Sequence, residues 1–214
     1  MDCLHAQKPL IMECTNQFPI PDKNSPNKND VIYVPCGKCI ACRGKLKNEW
    51  VIRNKYELRS SVSAIFLTLT YNDENLPLIH NLFPTLNKVD YQKFLKRLRK
   101  KDHQVWTEHY KLKNIPKHKW KIPKVRYYLT GEYGDKTFRP HYHAIIYNLH
   151  QTTIKHIQEI WGKGHTHTDK AEAGNISYVT SYLMKYQENG HLNKIYKHAV
   201  KPYNAMSLKP AIMR

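Results

Sequence analysis

The sequence predicts an α+β domain, with a mostly antiparallel central sheet and flanking helices. Three observations carry this. Residues 64–71, AIFLTLTY, are β-branched and aromatic, and the loop Asn72-Asp73-Glu74-Asn75 ends them, which reads as a buried strand. Residues 124–131 and 140–148 alternate as strands on either side of a turn at 133–139, so they form a hairpin. Pro140 takes the first position of its strand, where a missing N–H is tolerated. Stretches of helical period flank these strands.

Taken in order, residues 1–35 carry Pro9, Pro19, Pro21, Pro26 and Pro35, which predicts an arm with at most one or two short strands. From Arg43 to about Ser60, Leu46, Trp50, Tyr56 and Leu58 fall near helical spacing with basic residues between them. Asp90 reads as the N-cap of a helix from Tyr91 to Lys100, with Phe94, Leu95 and Leu98 as its apolar stripe. The outer face of that helix is almost purely basic, and reads either as a solvated face or as a contact with a nucleic-acid backbone. Lys93, Arg97 and Lys100, together with Arg139 in the hairpin turn, are the DNA-contact candidates. Residues 102–124, rich in Lys, His and Trp, read as a loop or irregular hairpin. A helix starts at Thr152 or Thr153 and runs to about Trp161, stopped by Gly162 and Gly164. A last helix covers roughly Asn175 to Tyr186, and the tail after Pro202 is irregular. The expected organisation is an arm over 1–42, a main domain over 43–201 and a tail over 202–214.

Composition narrows the partner. Among 214 residues, 35 Lys and Arg face 17 Asp and Glu, a net charge of +18 that calls for a polyanion, usually nucleic acid. Apolar residues at 41% exclude a disordered chain. No apolar run approaches the roughly 20 residues needed to span a bilayer, so no membrane partner is expected. The first residues lack a basic region followed by an apolar stretch, which argues against a secretory signal.

Chemistry concentrates in two places. On a strand, residues two apart share a face, so His141 and His143 point the same way, and Glu132 ends the partner strand of the hairpin. Two imidazoles and a carboxylate form a mixed nitrogen and oxygen site with open positions, which suits Mn²⁺, Mg²⁺ or a similar ion. The plainer alternative is a polar strand face. His165 and His167 share the spacing but lack a strand pattern, so they are read as incidental. On the last helix, Tyr178, Tyr182 and Lys185 lie within about 60° of arc, while Ile176, Val179 and Leu183 form a separate aliphatic stripe. The tyrosines are either packing aromatics or reactive phenols. Lys185 favours the second, because a nearby cation stabilises phenolate and phosphate charge.

Five cysteines is an odd number, and the spacing of Cys36, Cys39 and Cys42 suits metal better than a disulfide framework. A structural Zn²⁺ would need a fourth thiolate, from Cys3 or Cys14. An iron–sulfur cluster and free thiols are the alternatives, and the absence of a fourth cysteine just downstream disfavours the cluster.

In this order, the pieces resemble the HUH endonuclease superfamily, and more narrowly the replication initiators of small single-stranded DNA phages of the Microviridae, of gokushovirus type. Phe66-Leu67-Thr68-Leu69-Thr70 resembles the first motif. Gly131-Glu132-Tyr133-Gly134 with Arg139-Pro140-His141-Tyr142-His143 resembles the second, the metal-ligand motif. Tyr178, Tyr182 and Lys185 resemble the third, in its two-tyrosine form. Pro35-Cys36-Gly37-Lys38-Cys39-Ile40-Ala41-Cys42-Arg43 is similar to the N-terminal cysteine motif of those initiators. They also carry a cysteine near the start, which makes Cys3 the first choice for the fourth zinc ligand. The resemblance spans about residues 33 to 186, and Ala205–Pro210 looks like the start of a further family segment, as in a shortened chain.

It implies an RRM-like HUH fold and a metal-dependent endonuclease and strand transferase. Such an enzyme starts rolling-circle replication by nicking single-stranded or melted origin DNA through a 5′-phosphotyrosine link, then rejoins the strand. It further implies a host polymerase and helicase as partners, and the cytoplasm of an infected bacterium as the place of action. A single-tyrosine transposase and a non-catalytic single-strand binding protein are the rivals, the second set apart by giving no covalent product.

Overall fold

The chain was described in a computed structural model, over residues 13–14, 16–27, 29–185, 199–208 and 212, with residue 185 by its backbone alone. It divides into two units, Met1–Glu49 and Trp50–Arg214. In the first, strands β1 (Phe18–Pro21) and β2 (Val31–Val34) pair antiparallel as a hairpin, and helix α1 (Ile40–Ser60) begins. The remainder of α1 belongs to the second unit.

That second unit is built on a five-stranded sheet in the order β8-β3-β7-β6-β9. Its strands are β3 (Ala64–Thr70), β6 (Arg126–Tyr133), β7 (Pro140–Tyr147), β8 (Thr166–Lys170) and β9 (Tyr203–Met206), each antiparallel to its neighbours. Two two-residue strands, β4 (Leu78–Ile79) and β5 (Phe83–Pro84), form a small separate hairpin.

The two faces of the sheet pack on different helices. Leu67, Leu69, Leu129, Tyr142, Ala144 and Ile146 bury against Tyr91, Phe94, Leu95 and Leu98 of α2 (Lys88–Leu112) and against Trp161. Burying each of these large side chains is worth roughly 1.5–3 kcal/mol relative to exposure, enough to fix the register of the strands. On the other face, Tyr128, Ile145 and Tyr147 meet Ile176 and Val179 of α5 (Ala173–Lys185), with Trp50, Val51 and Leu58 of α1 at the margin. Buried Asn54 joins that layer: its Oδ1 accepts from Tyr147 Oη at 2.8 Å, and its Nδ2 donates to the Trp50 carbonyl at 2.8 Å.

Several elements differ from the sequence expectation. The helix expected to end at Lys100 runs on to Leu112, replacing much of the loop expected over 102–124. Its buried stripe continues through Asp102 and Val105. Asp102 is absorbed by two donors, the His150 N–H at 2.8 Å and the Thr153 hydroxyl at 2.7 Å; burial nevertheless pushes its carboxyl above the usual range. The N-cap is Asn87 rather than Asp90, its side chain accepting from the N–H groups of Val89 and Asp90. The helix expected up to Trp161 is two short ones, α3 (Gln151–Lys155) and α4 (Ile157–Trp161). His165 and His167, read as lying outside any strand, belong to the β8 edge: His167 is in β8 and pairs with Thr68, and the His165 carbonyl accepts from Thr70 N–H just before it. The tail expected to be irregular supplies β9, which pairs with β6.

Candidate active site

Register brings the ligand candidates together. Glu132 pairs directly with His141, and His143 follows two residues later on the same face of β7. Across the other edge of β7, Thr70 pairs with His141 and Thr68 with His143. Both imidazole Nε2 atoms converge on a single carboxylate oxygen, Glu132 Oε1, at 2.8 Å from His141 and 2.9 Å from His143.

The outer ring nitrogens are held as well. His141 Nδ1 lies 3.1 Å from the Arg139 carbonyl, which can only accept, so that nitrogen carries the hydrogen. A neutral ring would then turn the Nε2 lone pair onto the carboxylate, and the cluster favours a cation at that point. His143 Nδ1 meets Thr68 Oγ1 at 2.9 Å. Fixing the second nitrogen in this way is the common arrangement for a metal-ligating imidazole. Burial acts to raise the Glu132 carboxyl, but the hydrogen bonds and charges of His141 and His143 outweigh it and hold the group below its usual range. The three ligand atoms lie within 4.8 Å of one another, so the donor set fits one divalent ion that prefers mixed nitrogen and oxygen ligation.

Both tyrosines stand on the same side of the sheet. The Ile176 and Val179 stripe fastens α5, and Thr180, fully buried, bonds back to the Ile176 carbonyl. This turns Tyr178 and Tyr182 toward β7. The Tyr182 ring lies nearly parallel to His143, at 13° and 5.8 Å between centroids, and Tyr178 meets His143 edge-on at 5.3 Å. Phe66 is also nearly parallel to His143, at 7° and 5.8 Å. Tyr182 is 2% exposed and Tyr178 45%. Burial first, then the hydrogen bond to Tyr178 and the negative charge of Glu132, raise the Tyr182 phenol far above its ordinary value.

A cavity of about 510 Å³ opens beside His141, lined by Thr70, Asn72, Gly134, Arg139 and His165 among others. Arg139 stands at its edge, paired with Asp73 at 2.6 Å and donating to the Tyr71 carbonyl.

The basic helix stands elsewhere. Lys93, Arg97 and Lys100 are on α2, which covers the face of the sheet opposite the tyrosines, and Arg97 donates to the carbonyls of Ile160 and Trp161 at the end of α4. The Lys185 side chain, Tyr186 and Cys3 lie outside the described residues. Cys36, Cys39 and Cys42 come together with Cys14.

Sequence reasoning missed Thr68 and Phe66 as supports of His143. The signal was present: both belong to the strand beside β7, at the parity that faces the histidines.

The family model for the replication-associated protein ORF2 and gene II protein matches residues 64–187. The replication-associated protein VP4 of Bdellovibrio phage phiMH2K is 31% identical over 193 residues, covering 83% of this chain and 55% of its own length. The replication-associated protein ORF2 of Spiroplasma virus 4 is 31% identical over 208 residues, covering 88% of this chain and 56% of its own. The chain therefore spans about half the length of these curated relatives. Among solved structures, the N-terminal nuclease domain of minute virus of mice non-structural protein 1 aligns over 75% of this chain and 79% of its own. Its 14% identity and TM-score of 0.22 carry no argument. The family match begins at the first residue of β3 and takes in Thr68, the Glu132, His141 and His143 cluster and both tyrosines of α5; on that extent the chain belongs to the family of the replication-associated protein ORF2 and gene II protein.

Proposed function

We propose that this chain carries the nicking and rejoining activity of a rolling-circle replication initiator, acting on single-stranded or melted origin DNA in the cytoplasm of an infected bacterium. One observation supports it above the others: an exposed phenol, Tyr178, stands in ring contact with His143 of a two-histidine, one-carboxylate cluster. The net charge of +18 supports a polyanionic substrate.

In this reading the Tyr178 oxygen attacks the scissile phosphorus. The bond from phosphorus to the 3′-oxygen breaks, the phenol gives up its proton, and the departing 3′-oxygen takes one up. The products are a 5′-phosphotyrosine and a free 3′-OH that a host polymerase can extend. The link conserves the phosphodiester's energy for rejoining. Glu132, His141 and His143 would hold Mn²⁺ or Mg²⁺, which when bound polarises the phosphate and neutralises developing charge. Tyr182 holds its proton and donates it as a hydrogen bond to the Tyr178 oxygen, which stabilises negative charge there. In a later round it can serve as the second nucleophile, since it lies one helical turn away.

The test is a denaturing gel of the protein mixed with labelled single-stranded origin candidates and Mn²⁺. The reading expects a protein-sized labelled band, lost in the Tyr178→Phe/Tyr182→Phe double variant. It expects His141→Ala to remove cleavage while most DNA affinity remains. DNA binding without any covalent band, on every candidate including genomic DNA of the source, would overturn it.

A further inference from the structure

Four cysteines meet in the first unit, and nothing in the nicking reaction uses them. Cys14 comes from the segment before β1, while Cys36, Cys39 and Cys42 follow β2, with Cys42 in the first turn of α1. The sulfurs of Cys14 and Cys36 are 3.6 Å apart, those of Cys14 and Cys39 3.8 Å, and those of Cys36 and Cys42 4.0 Å. All four lie within 4.8 Å of one another and none is in a disulfide.

These separations identify the kind of occupant. A tetrahedral ion with zinc–sulfur bonds of about 2.3 Å sets its sulfurs about 3.8 Å apart along each edge. A disulfide needs about 2.05 Å. An iron–sulfur cubane binds each cysteine to a different iron and so spreads the sulfurs wider than one ion does. The backbone supports the same arrangement. Gly37 adopts a positive φ of 70°, which turns the chain so that the N–H groups of Lys38 and Cys39 both point at Cys36 Sγ, at 3.4 Å each. The Cys36 N–H donates to Cys14 Sγ at 3.3 Å. Such donors favour thiolate.

A second observation is independent of the sulfurs. Among the described residues of Met1–Glu49 none is buried, and Phe18, Val31, Ile32 and Tyr33 are all exposed. A hairpin of two four-residue strands with no core of its own is marginal in water and needs another source of stability. The cysteines flank that hairpin, one before its first strand and three after its second. The geometry points to a mononuclear structural zinc site made by Cys14, Cys36, Cys39 and Cys42, which closes the β1–β2 hairpin and ties it to the start of α1. Cys14, not Cys3, is the fourth ligand.

The test uses the full chain and does not depend on cleavage. Purified protein should carry one zinc that survives a chelator treatment sufficient to strip nitrogen and oxygen sites. Cobalt exchange should give thiolate-to-cobalt charge transfer with tetrahedral d–d bands. That charge transfer should fall by about a quarter in Cys14→Ser, and should be unchanged in Cys3→Ser and in His141→Ala. Alkylation of the native protein followed by peptide mass mapping should modify Cys3 and spare the other four, a readout that stands even where Cys14→Ser does not fold. Five freely reactive thiols in folded protein, iron in place of zinc, an iron–sulfur absorption, or protection of Cys3 with Cys14 modified would each overturn the assignment.

Discussion

Tyr182 donates its phenolic hydrogen to the hydroxyl of Tyr178 across one helical turn. The donor is buried and the acceptor is exposed, and this asymmetry separates their roles. An incoming phosphate can reach Tyr178, while the raised Tyr182 phenol keeps its proton to donate. Tyr178→Phe should therefore abolish the first covalent adduct. Tyr182→Phe keeps the ring against His143 but loses the donor. A hydrogen bond to a charged group is worth about 1.5–3 kcal/mol, so adduct formation should slow by roughly 10- to 100-fold while still occurring on Tyr178. Peptide mapping of the adduct together with single-turnover rates checks both halves. An adduct found on Tyr182 in wild type would reverse the order.

Thr68 reaches His143 Nδ1 at 2.9 Å and has no other part in the site. Thr68→Val keeps the shape and removes the hydroxyl. Loss of such an outer partner typically weakens metal binding 10- to 100-fold. Calorimetric titration with Mn²⁺ should show a loss of that size, with single-stranded DNA affinity in the absence of metal unchanged. Equal Mn²⁺ affinity in the two proteins would mean that Phe66 and Tyr182 alone orient the ring.

Gly164 is held against the end of β3. A Cβ there would sit 2.3 Å from the Thr70 carbonyl oxygen and 2.5 Å from the Asn72 nitrogen, and its φ is 153°. The obstacle is backbone, which cannot swing aside, and the same stretch carries the bonds from Asn72 N–H to the Lys163 carbonyl and from Thr70 N–H to the His165 carbonyl. Gly164→Ala should cost upwards of about 2 kcal/mol in urea unfolding. Gly131→Ala meets only the side chains of Leu86 and Tyr142, at 3.1 and 3.3 Å, and should cost less. The ranking of the two midpoints is the check.

What could be read from the sequence followed the range of the interactions involved. The period of two in residues 64–70 and 140–147 fixes which face each side chain takes, so Glu132, His141 and His143 could be assembled from spacing alone. The hairpin turn between β6 and β7 is local, and it sets the register that pairs Glu132 with His141. Helix α5 was legible because Ile176 and Val179 and the two tyrosines separate by angle. Partnerships that leave no local trace were not legible. Asp102 reads as one more polar residue in a charged run until His150 and Thr153, some fifty positions later, supply its donors. β8 is polar at nearly every position because it is an edge strand with one neighbour, so no alternation marks it. β9 is specified by its pairing with β6 rather than by its own residues. Cys14 lies 22 positions before Cys36, beyond the reach of any spacing rule.

Glu57 and Arg126 fasten the later part of α1 to β6. Both carboxylate oxygens of Glu57 accept from Arg126 Nη1, at 2.8 and 3.0 Å, and Glu57 is 1% exposed. A buried pair of this kind adds little over an apolar pair of the same volume, but removing one partner leaves a charge in a poor solvent. Arg126→Met should therefore destabilise by about 3–5 kcal/mol, and Glu57→Leu/Arg126→Met should recover most of that loss. The same α1 segment supplies Trp50, Val51 and Leu58 to the cluster on which α5 rests, so the single variant should also loosen the tyrosine helix. Hydrogen exchange at the amides of Val179 and Thr180 would then rise together with those of Asn54 and Glu57. Faster exchange confined to α1 would mean that Ile176 and Val179 hold α5 on the sheet without it.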